Sequence, residues 1–231
     1  MSTSNLQKLM LEKVASALGE LVNDVVFVGG CTTSLLITDE YTKEQVRYTD
    51  DVDLIVDVMG YPEWNKLQEQ LKQHGFSIDM GEEVLCRMLL GDLKVDFMPT
   101  DEKTLGFTNR WYKAAVDTAN NYPLTDSLTI KLIAPEYFIA TKLEAFHGRG
   151  KGDALASHDI EDILNIFDGR EEITHEIAQS SQELKEYLST EISKLLEDPN
   201  FEYAIQSLTN GDSDREGLIF NRLDKVIHGQ L

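Results

Sequence analysis

The hexapeptide DVDLIV, Asp51–Val56, restricts the fold more than any other stretch of the chain. It is a strand-like apolar run that opens on two carboxylates spaced two apart. Strand residues two apart point to the same side, so Asp51 and Asp53 project together while Val52 faces the other way. Two anions held about 4 Å apart repel by roughly 4 kcal/mol at an effective dielectric near 20. A fold that accepts this repulsion calls for a counter-charge, and a hard divalent cation is the natural one. Magnesium takes oxygen ligands and keeps waters and phosphates as further partners.

The text around this strand predicts mixed α/β structure up to about residue 134. NLQKLMLEKVASALGELV carries Leu6, Met10, Val14, Leu18 and Leu21 at helical spacing. DVVFVGG reads as a short strand broken at Gly29-Gly30, and CTTSLLI opens a second helix with Thr32 or Thr33 near its start. YPEWNKLQEQLKQHG follows DVDLIV as a helix with Pro62 in its first turn, and EVLCRMLLGDLKVDFMP reads as a hairpin turning at Gly91-Asp92. NYPLTDSLTIKLIA supplies one more strand. From Pro135 onward the text turns helical, through PEYFIATKLEAFHG and SHDIEDILNIF to Leu231. Strands before and helices after predict an α+β protein: a mixed-sheet core over 1–134 and a helical domain over 135–231.

Two further features bear on the acidic pair. In LKVDFMP, alternation puts Lys94 and Asp96 on one face, and a strand pairing beside DVDLIV would bring Asp96 to Asp51 and Asp53. Asp96 is then a third metal ligand or a base for an attacking hydroxyl; the alternative is a solvated carboxylate at a sheet edge. Gly29-Gly30 lets backbone approach a polyphosphate closely, with the next helix start offering N–H groups and Thr32 and Thr33 adding hydroxyls. Such turns also arise for steric reasons alone.

Composition narrows the partners. With 21 basic against 41 acidic residues, a net charge of -20, the surface repels a phosphate backbone, so general nucleic-acid binding is not expected. A few local cations, Arg110, Lys113, Lys131, Arg149 and Lys151, would have to serve if one RNA end were the acceptor. Cys31 and Cys86 form no CxxC or Cys/His cluster, and both read as small buried hydrophobes. His147 and His158 have no ligand partner at metal spacing. The longest apolar run is short of the roughly 20 residues that span a bilayer, and the first residues lack the apolar core of a secretory signal, so no membrane partner and a cytoplasmic location are expected.

Taken in order, VFVGG, RYTDDVDLIV and LKVDFMP resemble the glycine, DxD and third-Asp motifs of polymerase-beta-type nucleotidyltransferases. The Arg-x-Thr-x-Asp-x-Asp text of Arg47 to Asp53, followed by TKLEAFHGRGKGDALASHDIEDILNI, resembles the branch that contains the AbiEii/AbiGii abortive-infection toxins. The likeness runs from about Val25 to Phe167. His158-Asp159 stands where the branch often has Arg-Asp, and Cys31 where a small hydroxyl residue is common.

The resemblance implies a magnesium- or manganese-dependent enzyme that moves NMP from an NTP to a hydroxyl acceptor, a tRNA 3′ end or a protein side chain. Gly29 and Gly30 would hold the phosphates, Asp51 and Asp53 the metal, with Asp96 the weakest of the three acids. Lys142 would contact the nucleotide phosphates and Asp159 would complete the site. Arg47 and Thr49 fall in the same nucleotide-contacting set; read by themselves, Arg47 pairs with a nearby acid and Thr49 caps the strand start. Lys142 and Asp159 likewise have a plain reading, as a lysine snorkelling from an amphipathic helix and an acid at a helix start. The branch includes toxins of toxin–antitoxin systems, so an antitoxin partner is also open. The alternative from a different class is a catalytically silent module of the same fold, or an antitoxin-like partner, in which the acids remain and no transfer occurs.

Overall fold

A computed structural model describes residues 3–78, 84–149 and 152–229. It is α+β, with a mixed seven-stranded sheet and a helical C-terminal part. By contact the chain forms two compact units, Met1–Thr32 with Arg47–Ala134, and Thr33–Val46 with Pro135–Leu231.

The first unit holds α1 (Thr3–Leu18), β1 (Val25–Val28) and β2 (Asp51–Val56). The second helical segment, α2 (Thr33–Leu36), and α3 (Glu40–Gln45) fall in the other unit, and α4 (Tyr61–Gln73) returns to the first. β3 (Ser77–Ile78), β4 (Arg87–Leu90), β5 (Leu93–Pro99), α5 (Glu102–Leu105), α6 (Tyr112–Asp117), β6 (Asn120–Pro123) and β7 (Thr129–Leu132) complete the first unit. The strand order is β3-β4-β5-β2-β1-β7-β6. β2 runs parallel to β5 and β1 parallel to β7, and the remaining pairs are antiparallel. β1 is buried along its whole length, whereas β2 is buried from Leu54 to Val56 and half-exposed at Asp51 and Asp53. The strand therefore leaves the core at its acidic start.

Three expectations change in detail. The buried face of α1 is Gln7, Leu11, Val14, Ala15 and Leu18, while Leu6 is 42% exposed. The stripe is displaced by one residue because Gln7, a polar residue, is taken inside, where its amide donates to the Arg47 carbonyl at 3.0 Å. CTTSLLI gives only a 3-10 turn, Gly30–Thr32, and the four residues of α2. NYPLTDSLTIKLIA makes a hairpin of β6 and β7 instead of one strand. β6 is an exposed edge, where Pro123 costs no ladder bond on an inner strand.

The second unit contains α7 (Pro135–Arg149), α8 (His158–Gly169), α9 (Ile173–Gln179), α10 (Gln182–Leu196), α11 (Pro199–Thr209) and α12 (Ser213–His228). It also takes in residues 33–46, which the sequence placed with the sheet-bearing part. The Gly169 carbonyl accepts from the backbone N–H of Thr38 and of Asp39, each at 2.9 Å. A side chain on Gly169 would come within 2.5 Å of Ile37 Cγ2, so the segment packs directly on the helix end. Thr42 donates to Asp168 at 2.7 Å, and Asp168 is also forked by Arg215 of α12. The last carbonyls of α8 meet Arg222, at 2.7 and 2.8 Å from the oxygens of Phe167 and Asp168. The residues beyond 170 thus cap the helix that carries Asp159. No helix among the described residues is long and apolar enough to cross a membrane.

Candidate metal centre

Strand register assembles the acidic cluster. β1 and β2 pair Val28 with Asp53, β2 and β5 pair Asp53 with Asp96, and β4 and β5 pair Asp96 with Arg87. Residues directly opposite across a ladder share a face, so one row runs Val28, Asp53, Asp96, Arg87. The adjacent pair, Asp51 and Lys94, lies on the same face. Carboxylate oxygens of Asp51, Asp53 and Asp96 lie within 4.8 Å of one another. Oxygens around one magnesium ion at 2.0–2.1 Å are separated by about 3–4 Å, so the three acids need only close in slightly to share an ion. The donor set, all carboxylate, suits a hard cation.

Asp96 does not sit at a sheet edge. β5 is an interior strand, Asp96 is 7% exposed, and both its oxygens meet the Arg87 guanidinium: Nε to Oδ1 at 2.7 Å and Nη2 to Oδ2 at 2.8 Å. The same Nη2 lies 4.0 Å from Asp51 Oδ2. Asp51 also accepts from the Thr49 hydroxyl, so Thr49 supports an acid at the strand start.

Gly29 ends β1 with φ +77°, a left-handed conformation that favours glycine. A Cβ there would stand 1.9 Å from Asp53 Oδ2, so no other residue fits against that carboxylate. Gly30 is buried in the following turn. Thr32 and Thr33 are fully buried; the Thr32 hydroxyl donates to the Gly29 carbonyl at 2.8 Å and closes the turn.

Both cysteines flank this cluster. Burial pushes the Cys31 thiol up strongly, with the charges of Asp53 and Asp51 adding to it. Burial likewise pushes Cys86 up to about 12, reinforced by Asp96 and Asp53 and opposed by Arg87. The thiols remain protonated and act as neutral wall. Cys31 points to the Gln7 carbonyl at 3.7 Å, so Gln7 touches both motif segments, through that carbonyl and through its bond to Arg47.

In the helical unit Lys142 and Asp159 belong to a network of their own. Lys142 is 6% exposed and does not snorkel; its ammonium lies 2.6 Å from Asp162 and 3.2 Å from Asp159, over the Phe138 ring. Asp159 is not a solvated cap, because Ser157 caps α8 and Asp159 is buried. Arg149 forks it at 3.0 and 2.9 Å. Burial acts to raise the Asp159 carboxyl, but the Arg149 bonds and the Lys142 charge outweigh it and hold the group below the usual range. Lys151 lies outside the described residues. Lys113 is bound by Asp57 and Asp117, and Arg110 stacks on Trp111. His147 and His158 are surface residues, bonded to Glu191 and Glu161.

Sequence reasoning missed Arg87 and Gln7. Arg87 was legible: a two-residue turn at Gly91-Asp92 sets Leu90 opposite Leu93, and counting outward along both strands brings Arg87 opposite Asp96. Gln7 carried no signal, because a glutamine in an amphipathic helix reads as solvent-facing. No known family model matches this chain, and no curated protein matches it.

Proposed function

We propose that the chain is a magnesium-dependent nucleotidyltransferase of the polymerase-beta type, related to the AbiEii/AbiGii branch. The observation that carries this reading is the convergence of Asp51, Asp53 and Asp96 beside a glycine that admits no side chain. Asp51 and Asp53 would hold the ion, with Asp96 close by. When bound, the ion would offset the charge of the triphosphate and polarise its reacting phosphoryl group. The Gly29-Gly30 turn supplies backbone that a phosphate can approach closely. In the transfer, an acceptor hydroxyl oxygen bonds to the α-phosphorus as its proton passes to a cluster carboxylate or to water, the bond from that phosphorus to the bridging oxygen breaks, and pyrophosphate leaves. The chain is acidic overall, with the named cations Lys113 and Arg149 already engaged by carboxylates, which favours a protein hydroxyl or a single RNA end over an extended nucleic-acid track.

The test is incubation of the purified chain with each labelled NTP, magnesium and either total RNA or lysate, reading pyrophosphate release and the labelled product. Release with one NTP and label on a discrete acceptor supports the reading. Absence of release with every NTP and acceptor pool returns the chain to a silent module of the same fold, a reading favoured by the Arg87 fork that already occupies Asp96.

A further inference from the structure

The acidic face contains a cation of its own. Arg87 reaches Asp96 through two parallel hydrogen bonds, with side-chain exposures of 14% and 9%, and the same nitrogen that bonds Asp96 stops 4.0 Å from Asp51. A bidentate guanidinium fixes its carboxylate in position as well as compensating it. Its charge then acts in two opposite ways. In the ion-free protein it relieves repulsion among Asp51, Asp53 and Asp96, and toward an incoming divalent ion it is a like charge a few ångströms away.

We propose that Arg87 is a positioning residue that serves as a resident counter-cation of the acidic cluster. It holds Asp96 against the sheet and steadies Asp51 when no divalent ion is bound, and it weakens the grip of the cluster on the ion so that the ion stays exchangeable. The inference rests on the reading that Asp51 and Asp53 hold a divalent ion. A tie that was only structural would produce the first effect without the second, so metal affinity is the deciding readout.

The experiment measures Mn2+ affinity by calorimetry and the thermal midpoint without metal, on the full chain and its variants. Arg87→Gln should bind Mn2+ about tenfold more tightly than wild type, unfold at lower temperature without metal, and recover on adding Mn2+. Arg87→Lys keeps the charge and loses the fork, so its affinity should stay close to wild type. Because Arg87→Gln leaves a buried carboxylate without its partner, the substitution is repeated on Asp96→Asn, where no charge is orphaned. There too it should tighten Mn2+ about tenfold relative to Asp96→Asn alone. Should Arg87→Gln leave affinity unchanged in both backgrounds while wild type binds Mn2+, Arg87 is a structural tie and this inference falls with the metal reading intact. Should wild type take up no Mn2+ at millimolar concentration, both fall together.

Discussion

The sheet and the helical unit each gather charged side chains, and they balance them differently. In the helical unit, two carboxylates, Asp159 and Asp162, face two cations, Lys142 and Arg149, at 2.6 to 3.2 Å. On the sheet, three carboxylates share a face with two cations, Arg87, which forks Asp96, and Lys94, in register beside Asp51. A matched cluster is complete as protein, and removing one member orphans a buried charge. A cluster with more anions than cations carries mutual repulsion, which removal of one anion should lower. The difference separates a group whose charges are matched within the protein from one that, on the proposed function, would receive a divalent ion.

The largest expected effect lies in the matched cluster. Lys142→Met leaves Asp162, fully buried, and Asp159 without their ammonium, and should lower stability by about 3–5 kcal/mol in urea unfolding. If stability holds while NTP use collapses, Lys142 is a phosphate contact and the contrast between the clusters breaks down.

Next comes the surplus cluster, where Asp53→Asn removes one of the mutually repelling anions. Mn2+ affinity should fall about a hundredfold, roughly 2.7 kcal/mol, while the midpoint without metal stays level or rises. A fall in that midpoint would mean that Asp53 is tied into the fold as Asp159 is, and the two regions would cease to differ.

The smallest effect concerns acid. The Asp159 carboxyl is depressed in the folded chain, so its stabilisation is complete above its unfolded value near pH 4 and is lost as pH falls through the lower folded value. Stability followed by urea midpoints from pH 6 downward should therefore decline below about pH 4, and Asp159→Asn should flatten that part of the profile. An unchanged slope in the variant would remove Asp159 from the matched set. The drop is smaller than for Lys142→Met because a protonated Asp159 still accepts hydrogen bonds from Arg149.

Much of the sheet was legible because its signals are local. DVDLIV is β2, the hairpin turns at Gly91-Asp92, and the spacing of Asp51 and Asp53 fixes their shared face whatever packs around them. The helices from Pro135 onward were legible for the same reason, since capping residues and apolar periodicity act within a few turns. The buried face of α1 was misread because Gln7 enters the core for a bond made forty residues away, and β6 was missed because NNYP carries no strand pattern and pairs only through β7.

By itself, then, the sequence determined where the acids cluster along the chain, which way Asp51 and Asp53 face, and that strands precede helices, since periodicity and turn geometry operate over neighbouring residues. Only the tertiary structure decided that residues 33–46 pack with the helices, that Lys142 is buried between two aspartates, and that Arg87 grips Asp96 within 4.0 Å of Asp51. Those outcomes depend on which charges meet when distant segments are desolvated together, a pairing energy that no single segment contains.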